Sequence, residues 1–179
     1  MKKLETERLL LRSLRREDAK RMEELAGDYE VAKTTLSIPH PYPQGSAADF
    51  IESSLQAEKK GEYTIFAIVE KDMNHLIGII DISIAPAHER GELGYWIGKP
   101  YWGMGYGTEA TRLMISYAFE VFSLNKIFAR AVLHNPGSWR IMEKVGMTHE
   151  GIFKQHEVRW GKYLDITYYG ILKEDFQHR

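Results

Sequence analysis

"PYWGMGYGTEATRLM", residues 100–114, sets Gly103, Gly105 and Gly107 within five residues and then changes to an amphipathic pattern. Ala110, Leu113, Met114, Tyr117, Ala118 and Val121 recur at helical spacing, so a helix is predicted over about 108–121 with the glycines at its mouth. A helix N-terminus offers several unpartnered N–H groups and about half a positive charge, and glycine backbones let an anion approach them closely. Anion binding is the functional reading of the stretch. A glycine-rich turn with Thr108 as a simple cap is the structural one.

Two nucleotide motifs fit poorly. A P-loop carries Lys and then Ser or Thr directly after its last glycine, whereas here Thr108 and Glu109 follow. A dinucleotide fingerprint follows the first strand of a parallel sheet, whereas this run lies mid-chain behind what reads as an antiparallel meander.

That meander is written in period-two segments. "YTIFAIVE", "LIGIIDISI" and "GELGYWIG" read as three strands, and in the second Leu76, Gly78, Ile80, Ile82 and Ile84 form an apolar face for helices to cover. The opposite face, Ile77, Ile79, Asp81 and Ser83, turns polar toward one end. Upstream, "RLLLRSL" reads as a strand and "REDAKRMEELAG" as a helix stopped by glycine. The proline-rich "SIPHPYPQGS" is a loop, and Ser46 is placed to cap a helix carrying Phe50, Ile51, Leu55 and Ala57. Downstream come a strand in "KIFARAVL", a short helix in "SWRIMEKVG" with Asn135 as its N-cap and Pro136 at N1, and two strands around "THEGIFKQHEVRW" and "YLDITYYGILK". The order implies a mixed α/β fold in one domain, 1–179.

Composition narrows the partners. With 24 basic and 25 acidic residues the net charge is -1, so no global field draws in nucleic acid or an anionic membrane. "MKKLETERLLLRS" reads as neither a signal peptide nor a spanning segment, and a cytoplasmic location is expected. Cysteine is absent, which excludes disulfides, thiolate metal sites and an acyl-cysteine intermediate. The seven histidines, His178 among them, form no HExxH or other close pair, and no metal is expected.

A third pattern fits the glycine stretch: (Gln/Arg)-x-x-Gly-x-(Gly/Ala) opening a helix, which resembles the pyrophosphate loop of the GNAT acetyltransferase superfamily. Here it runs Trp102, Gly103, Met104, Gly105, Tyr106, Gly107, with tryptophan where glutamine or arginine is commonest. "PYWGMGYGTEA", "GELGYWIG", "HNPGSWRIMEKVGMTHEG", the opening "LETERLLLRSLRREDA" and the closing "YLDITYYGILKEDF" together resemble the ribosomal-protein N-acetyltransferase subgroup in order and spacing. The resemblance implies a central, mostly antiparallel sheet flanked by helices on both faces. It also implies acetyl-CoA as co-substrate, with N–H groups from Met104 to Thr108 holding its pyrophosphate. The backbone of Tyr95, Trp96 and Ile97 would pair with the pantetheine arm, and Asn135 would reach the same arm. Many members carry a tyrosine seven residues after this asparagine as the acid for the thiolate. Met142 stands there, so Ser138 becomes the candidate donor.

The acceptor amine must lose a proton, and Asp81 and Glu92 are the candidate bases. If the two strands flanking "APAHER" pair so that Ser83 opposes Glu92, then Asp81 and Glu92 are diagonal neighbours on one face. Of Tyr168 and Tyr169, one should face the core and the other the cleft, while Arg12, Tyr42 and Trp160 either line an acceptor pocket or pack. The subgroup favours a protein N-terminal α-amine, such as that of a ribosomal protein, as acceptor of a direct attack, and a monomer or homodimer as the assembly. A polyamine, amino acid or aminoglycoside remains an alternative acceptor, and a non-catalytic acyl-CoA-binding module or a nucleotide-binding protein an alternative class.

Overall fold

The computed structural model describes residues 3–61 and 63–177; the extreme N-terminus and His178, both used above, lie outside them. The described residues form one eight-stranded sheet in the order β1-β2-β3-β4-β5-β6-β8-β7. Its strands are β1 (Lys3–Glu5), β2 (Leu9–Arg12), β3 (Tyr63–Glu70), β4 (His75–Ala85), β5 (Arg90–Ile97), β6 (Lys126–Val132), β7 (Thr148–Arg159) and β8 (Lys162–Leu172). All neighbouring pairs are antiparallel except β5 with β6. The helices are α1 (Asp18–Ala26), α2 (Tyr29–Ala32), α3 (Ser46–Glu58), α4 (Tyr106–Val121), α5 (Pro136–Lys144) and α6 (Lys173–Gln177). No helix among the described residues is long and apolar enough to cross a membrane.

Alternation along the strands decides which helix covers which face. Phe66 on β3 pairs with Ile80 on β4, and its ring meets Tyr117 of α4 edge-on at 5.5 Å. That face of the sheet therefore lies under α4, where Ile80, Ile82, Met114, Ile115 and Ala118 are fully buried. Burying one such isoleucine or methionine side chain contributes about 1.5–3 kcal/mol. The opposite face carries Tyr63 and Ser83 as partners and lies toward α1 and α3.

Several boundaries differ from the sequence reading. Helix α4 starts at Tyr106, because Gly105 takes the N-cap position with φ 83°. Its buried stripe includes Ile115 and Phe119, while Val121 at the last turn is 54% exposed. Phe119 is drawn in by a ring contact with Phe176 of α6, an element the periodicity does not announce. Gly45, and not Ser46, is the N-cap of α3; the Ser46 hydroxyl donates to the Pro43 carbonyl at 2.7 Å. Asn135 occupies the N-cap position of α5 but makes no side-chain cap bond; its Nδ2 donates instead to the Thr34 carbonyl.

Candidate active site

Parallel pairing between β5 and β6 begins at Arg90 with Lys126 and ends at Leu93 with Ala129. Beyond it β5 continues to Ile97 and β6 to Val132 without a partner between them. The fork opens into a cavity of about 560 Å³ whose walls include Asp81, Glu92, Tyr95, Trp96, Ile97, Trp102, Asn135 and Ser138. Eight of the sequence candidates thus meet in one place.

Neighbouring residues of β5 serve opposite sides of the fork. Tyr95 pairs with Ile80 on the α4 face, and its hydroxyl donates to the Ser138 carbonyl at 2.9 Å and lies 3.1 Å from Ser138 Oγ. Burial pushes the Tyr95 pKa above its ordinary value, so the phenol keeps its proton and remains a donor. Gly94 pairs with Asp81 on the other face, and a Cβ at Gly94 would lie 3.0 Å from Asp81 Oδ2. A side chain at this position would press on the carboxylate that lies over the strand. Burial first, and then the neighbouring Glu92 charge, push the Asp81 pKa up to about 7.

Ser83 pairs with Glu92, which makes Asp81 and Glu92 diagonal neighbours. Glu92 has a partner that spacing does not reveal: Arg130 Nε donates to its Oε1 at 2.7 Å. Of the adjacent tyrosines, Tyr169 is buried and bonds Glu143 of α5 at 3.3 Å, while Tyr168 faces the Arg130 side beside His156 and stacks on Phe128. Arg12 is a packing residue, held by Asp18 through two bonds of 2.7 Å. Trp160 stacks on Tyr29 at the tip of the β7–β8 hairpin. Met142 is buried in the core.

The glycine segment adjoins the cavity at the mouth of α4. A Cβ on Gly107 would lie 2.6 Å from Ile141 Cδ1 and 3.7 Å from Ile97 Cγ1, both lining side chains. Gly103 and Gly105 take positive φ, 76° and 83°, the region that glycine enters without strain. The N–H groups of 103–108 meet no acceptor among the described residues, and the first helical bond runs from Glu109 N to Gly105 O at 3.1 Å. Arg8 braces the outside of this turn: Nη1 donates to Met104 O at 3.0 Å, Nε donates to Glu109 Oε2 at 2.8 Å, and the guanidinium lies 4.7 Å from the Tyr106 ring centre. The Glu109 carboxylate is thereby paired with a cation beside the helix mouth.

Trp102, the departure from the usual loop pattern, has a bond of its own. Its indole Nε1 donates to Ile97 O at 2.7 Å, pinning the loop to the free end of β5. Trp102→Phe keeps the ring and removes this donor. It is expected to cost about 1 kcal/mol, a fall in Tm of about 2–4 °C by thermal unfolding, and to weaken coenzyme A binding several-fold by calorimetry.

A segment that runs into the proline-rich loop closes the cavity: Thr34, Thr35 and Leu36, which the sequence reading does not mark, line it together with Ser37 and Ile38 of that loop. Asn135 Nδ2 donates to Thr34 O at 3.1 Å, and Arg159 donates to Ala32 O at 2.9 Å and also to Ile38 O. The strap is therefore hung between α5 and the end of β7. The proline-rich loop marks Ser37 and Ile38 in the sequence, and only the fold brings Thr34, Thr35 and Leu36 to the cavity.

The eight-stranded, mostly antiparallel sheet with its six helices agrees with the solved structures the chain is similar to. The family described as acetyltransferase (GNAT) domain matches residues 8–148, and the chain belongs to it. An uncharacterized N-acetyltransferase, p20, of Bacillus licheniformis is 29% identical over 98% of this chain and 99% of its own. A ribosomal-protein-serine acetyltransferase of Escherichia coli is 26% identical over 66% of each chain. Among solved structures, RimL, a ribosomal alpha-N-protein acetyltransferase in complex with coenzyme A, superposes with a TM-score of 0.88 at 16% identity, covering 96% of this chain and 98% of that one. The chain is an acetyl-CoA-dependent N-acetyltransferase of this family.

Proposed function

We propose that residues 1–179 act as one acetyltransferase domain that moves the acetyl group of acetyl-CoA to a protein N-terminal α-amine. The single observation that carries this reading is the fork, which holds Asp81 and the Tyr95–Ser138 pair on opposite sides of one cavity. The ribosomal-protein acetyltransferase relative supports the acceptor class.

In this reading the N–H groups of 103–108 cradle the pyrophosphate, and the edge of Tyr95, Trp96 and Ile97 that no strand covers, its Ile97 carbonyl already held by Trp102, accepts the pantetheine arm as an added strand. Asn135 reaches the same arm with the oxygen its Thr34 bond leaves free. Asp81, with a pKa of about 7, takes the proton of the incoming ammonium. An α-amine, with a pKa of about 8, suits such a base better than a lysine of about 10.4. The amine nitrogen then attacks the thioester carbon, an N–H at the β5 edge steadies the oxyanion, and the C–S bond breaks. Ser138, held beside the Tyr95 hydroxyl, donates its hydroxyl proton to the departing thiolate and takes back the second proton that the attacking nitrogen sheds as the amide forms. Glu92 is ion-paired with Arg130 and is not the base in this scheme.

Thiol release from acetyl-CoA, measured against N-terminal peptides, polyamines, free amino acids and aminoglycosides, tests the assignment. The expected result is turnover on peptides with a free α-amine and its loss when that amine is blocked. Turnover confined to a polyamine or aminoglycoside overturns the acceptor class, and coenzyme A binding without any turnover supports a binding module.

A further inference from the structure

β5 and β6 part at a position occupied by a single positive charge. Arg130 is the first residue of β6 beyond the last parallel pair, and its guanidinium spans the opening. Nε donates to Glu92 Oε1 at 2.7 Å and Nη1 donates to Glu157 Oε1 at 2.6 Å. Glu157 stands on β7 just past an irregularity in that strand's register, between Phe153 and Glu157. The strand registers put Glu92, Arg130 and Glu157 on the same sheet face as Asp81. Arg130 is 32% exposed and its partners slightly more, so these ion pairs add little to folding stability. Their effect is on local charge and on where β7 sits.

We infer that Arg130 is a positioning residue for acetyl transfer: its ion pair keeps Glu92 from competing with Asp81 for the acceptor ammonium and its proton, and its second pair holds β7 at the mouth of the fork. The inference rests on the assignment of Asp81 as base. Titratable groups face Asp81 from two neighbouring strands, Glu92 from β5 and Tyr63 from β3, with Glu58 of α3 behind Tyr63. Arg130 acts on Asp81 only through Glu92. Without the guanidinium, two carboxylates confront each other across one strand gap and hold a shared proton to higher pH. An entering ammonium is then trapped between them instead of deprotonated.

The test is the pH dependence of kcat/KM for the peptide acceptor, with the acceptor KM followed separately. Arg130→Met is expected to move the acidic limb up by roughly half to one pH unit, lowering activity about 2- to 5-fold at pH 7 and less than 2-fold at pH 9. Arg130→Met with Glu92→Gln brings the limb back. Arg130→Lys keeps the charge and restores the limb but not the acceptor KM, which Glu157→Gln also raises while leaving the limb in place. Circular dichroism and coenzyme A binding verify folding, and the double variant serves if Arg130→Met alone is unstable. An unmoved limb in Arg130→Met, in an enzyme that Asp81→Asn inactivates, overturns the role of Arg130 alone. Full turnover in Asp81→Asn overturns the base assignment and this role with it.

Discussion

Asp81→Asn is expected to lower kcat/KM for acetyl transfer by roughly 10²- to 10⁴-fold and to abolish the acidic limb of the pH profile near pH 7. The asparagine keeps the shape of the side chain and removes the proton acceptor, so coenzyme A affinity should stay within about 2-fold. The same substitution should make the protein more stable above neutral pH. Asp81 is raised from 3.8 to about 7 in the folded chain, which therefore holds this proton more tightly than the unfolded chain does. The stability linked to it is fully present below about pH 4 and is lost as pH rises through 7. Asparagine carries no such loss. Thermal unfolding at pH 8 should favour the variant by roughly 1–3 kcal/mol, with the advantage vanishing near pH 4. A variant that is inactive and less stable at pH 8 would show Asp81 to be a packing residue.

Gly105→Val is expected to raise the dissociation constant of coenzyme A by roughly 10- to 100-fold. The cause is backbone strain: Gly105 sits at φ 83°, where a β-branched residue costs on the order of 1–3 kcal/mol, and the nearest atom to an added Cβ is Arg8 Nη2 at 3.4 Å, an ordinary contact. The turn relieves that strain by rotating its peptide planes, and the N–H groups of 103–108 then cease to converge. Gly45 provides the control, since it is the N-cap of α3 with the same φ and nothing within 4 Å of an added Cβ. Gly45→Val should destabilise by a similar amount and leave coenzyme A affinity intact by calorimetry. Equal affinity losses in both variants would mean that global destabilisation, and not the loop, governs binding.

The legible parts of this fold are those governed by local period. The strands from Tyr63 to Ile97 and helix α4 follow from alternation and 3.6-residue spacing, and the short connection through Pro86 limits the register choices that place Ser83 opposite Glu92. The loop and the fork residues of β5 stand out because several motifs agree in order. What escapes is whatever a distant element supplies. Arg130 is an ordinary polar position of an alternating strand until β7 delivers Glu157 to it, from 27 residues away. Gly94 reads as a strand glycine, and its reason is the carboxylate of Asp81 lying over it. Helix α2 is a single turn of four residues, too short for any period to show, yet the strap that follows it closes the cavity. Asn135 is a convincing cap by sequence, but Thr34, 101 residues away, takes its amide.

Tyr95 and Trp96 are neighbours in the chain and stand back to back across β5. Tyr95 turns toward α5, and Trp96 packs among Ala26, Val31, Ala32 and Ile38 under the strap. In the proposed assignment one strand therefore meets the donor with its odd positions and the acceptor with its even ones. In that assignment substitutions of the Glu92 or Trp96 side chain change the acceptor half and leave the Tyr95–Ser138 pair in place, so retargeting is open to point changes. Losing or gaining one residue between Arg90 and Ile97 exchanges both sets at once, because a one-residue slip inverts every side chain of a strand. β5 is thus tolerant of substitution on one side and intolerant of any change in length.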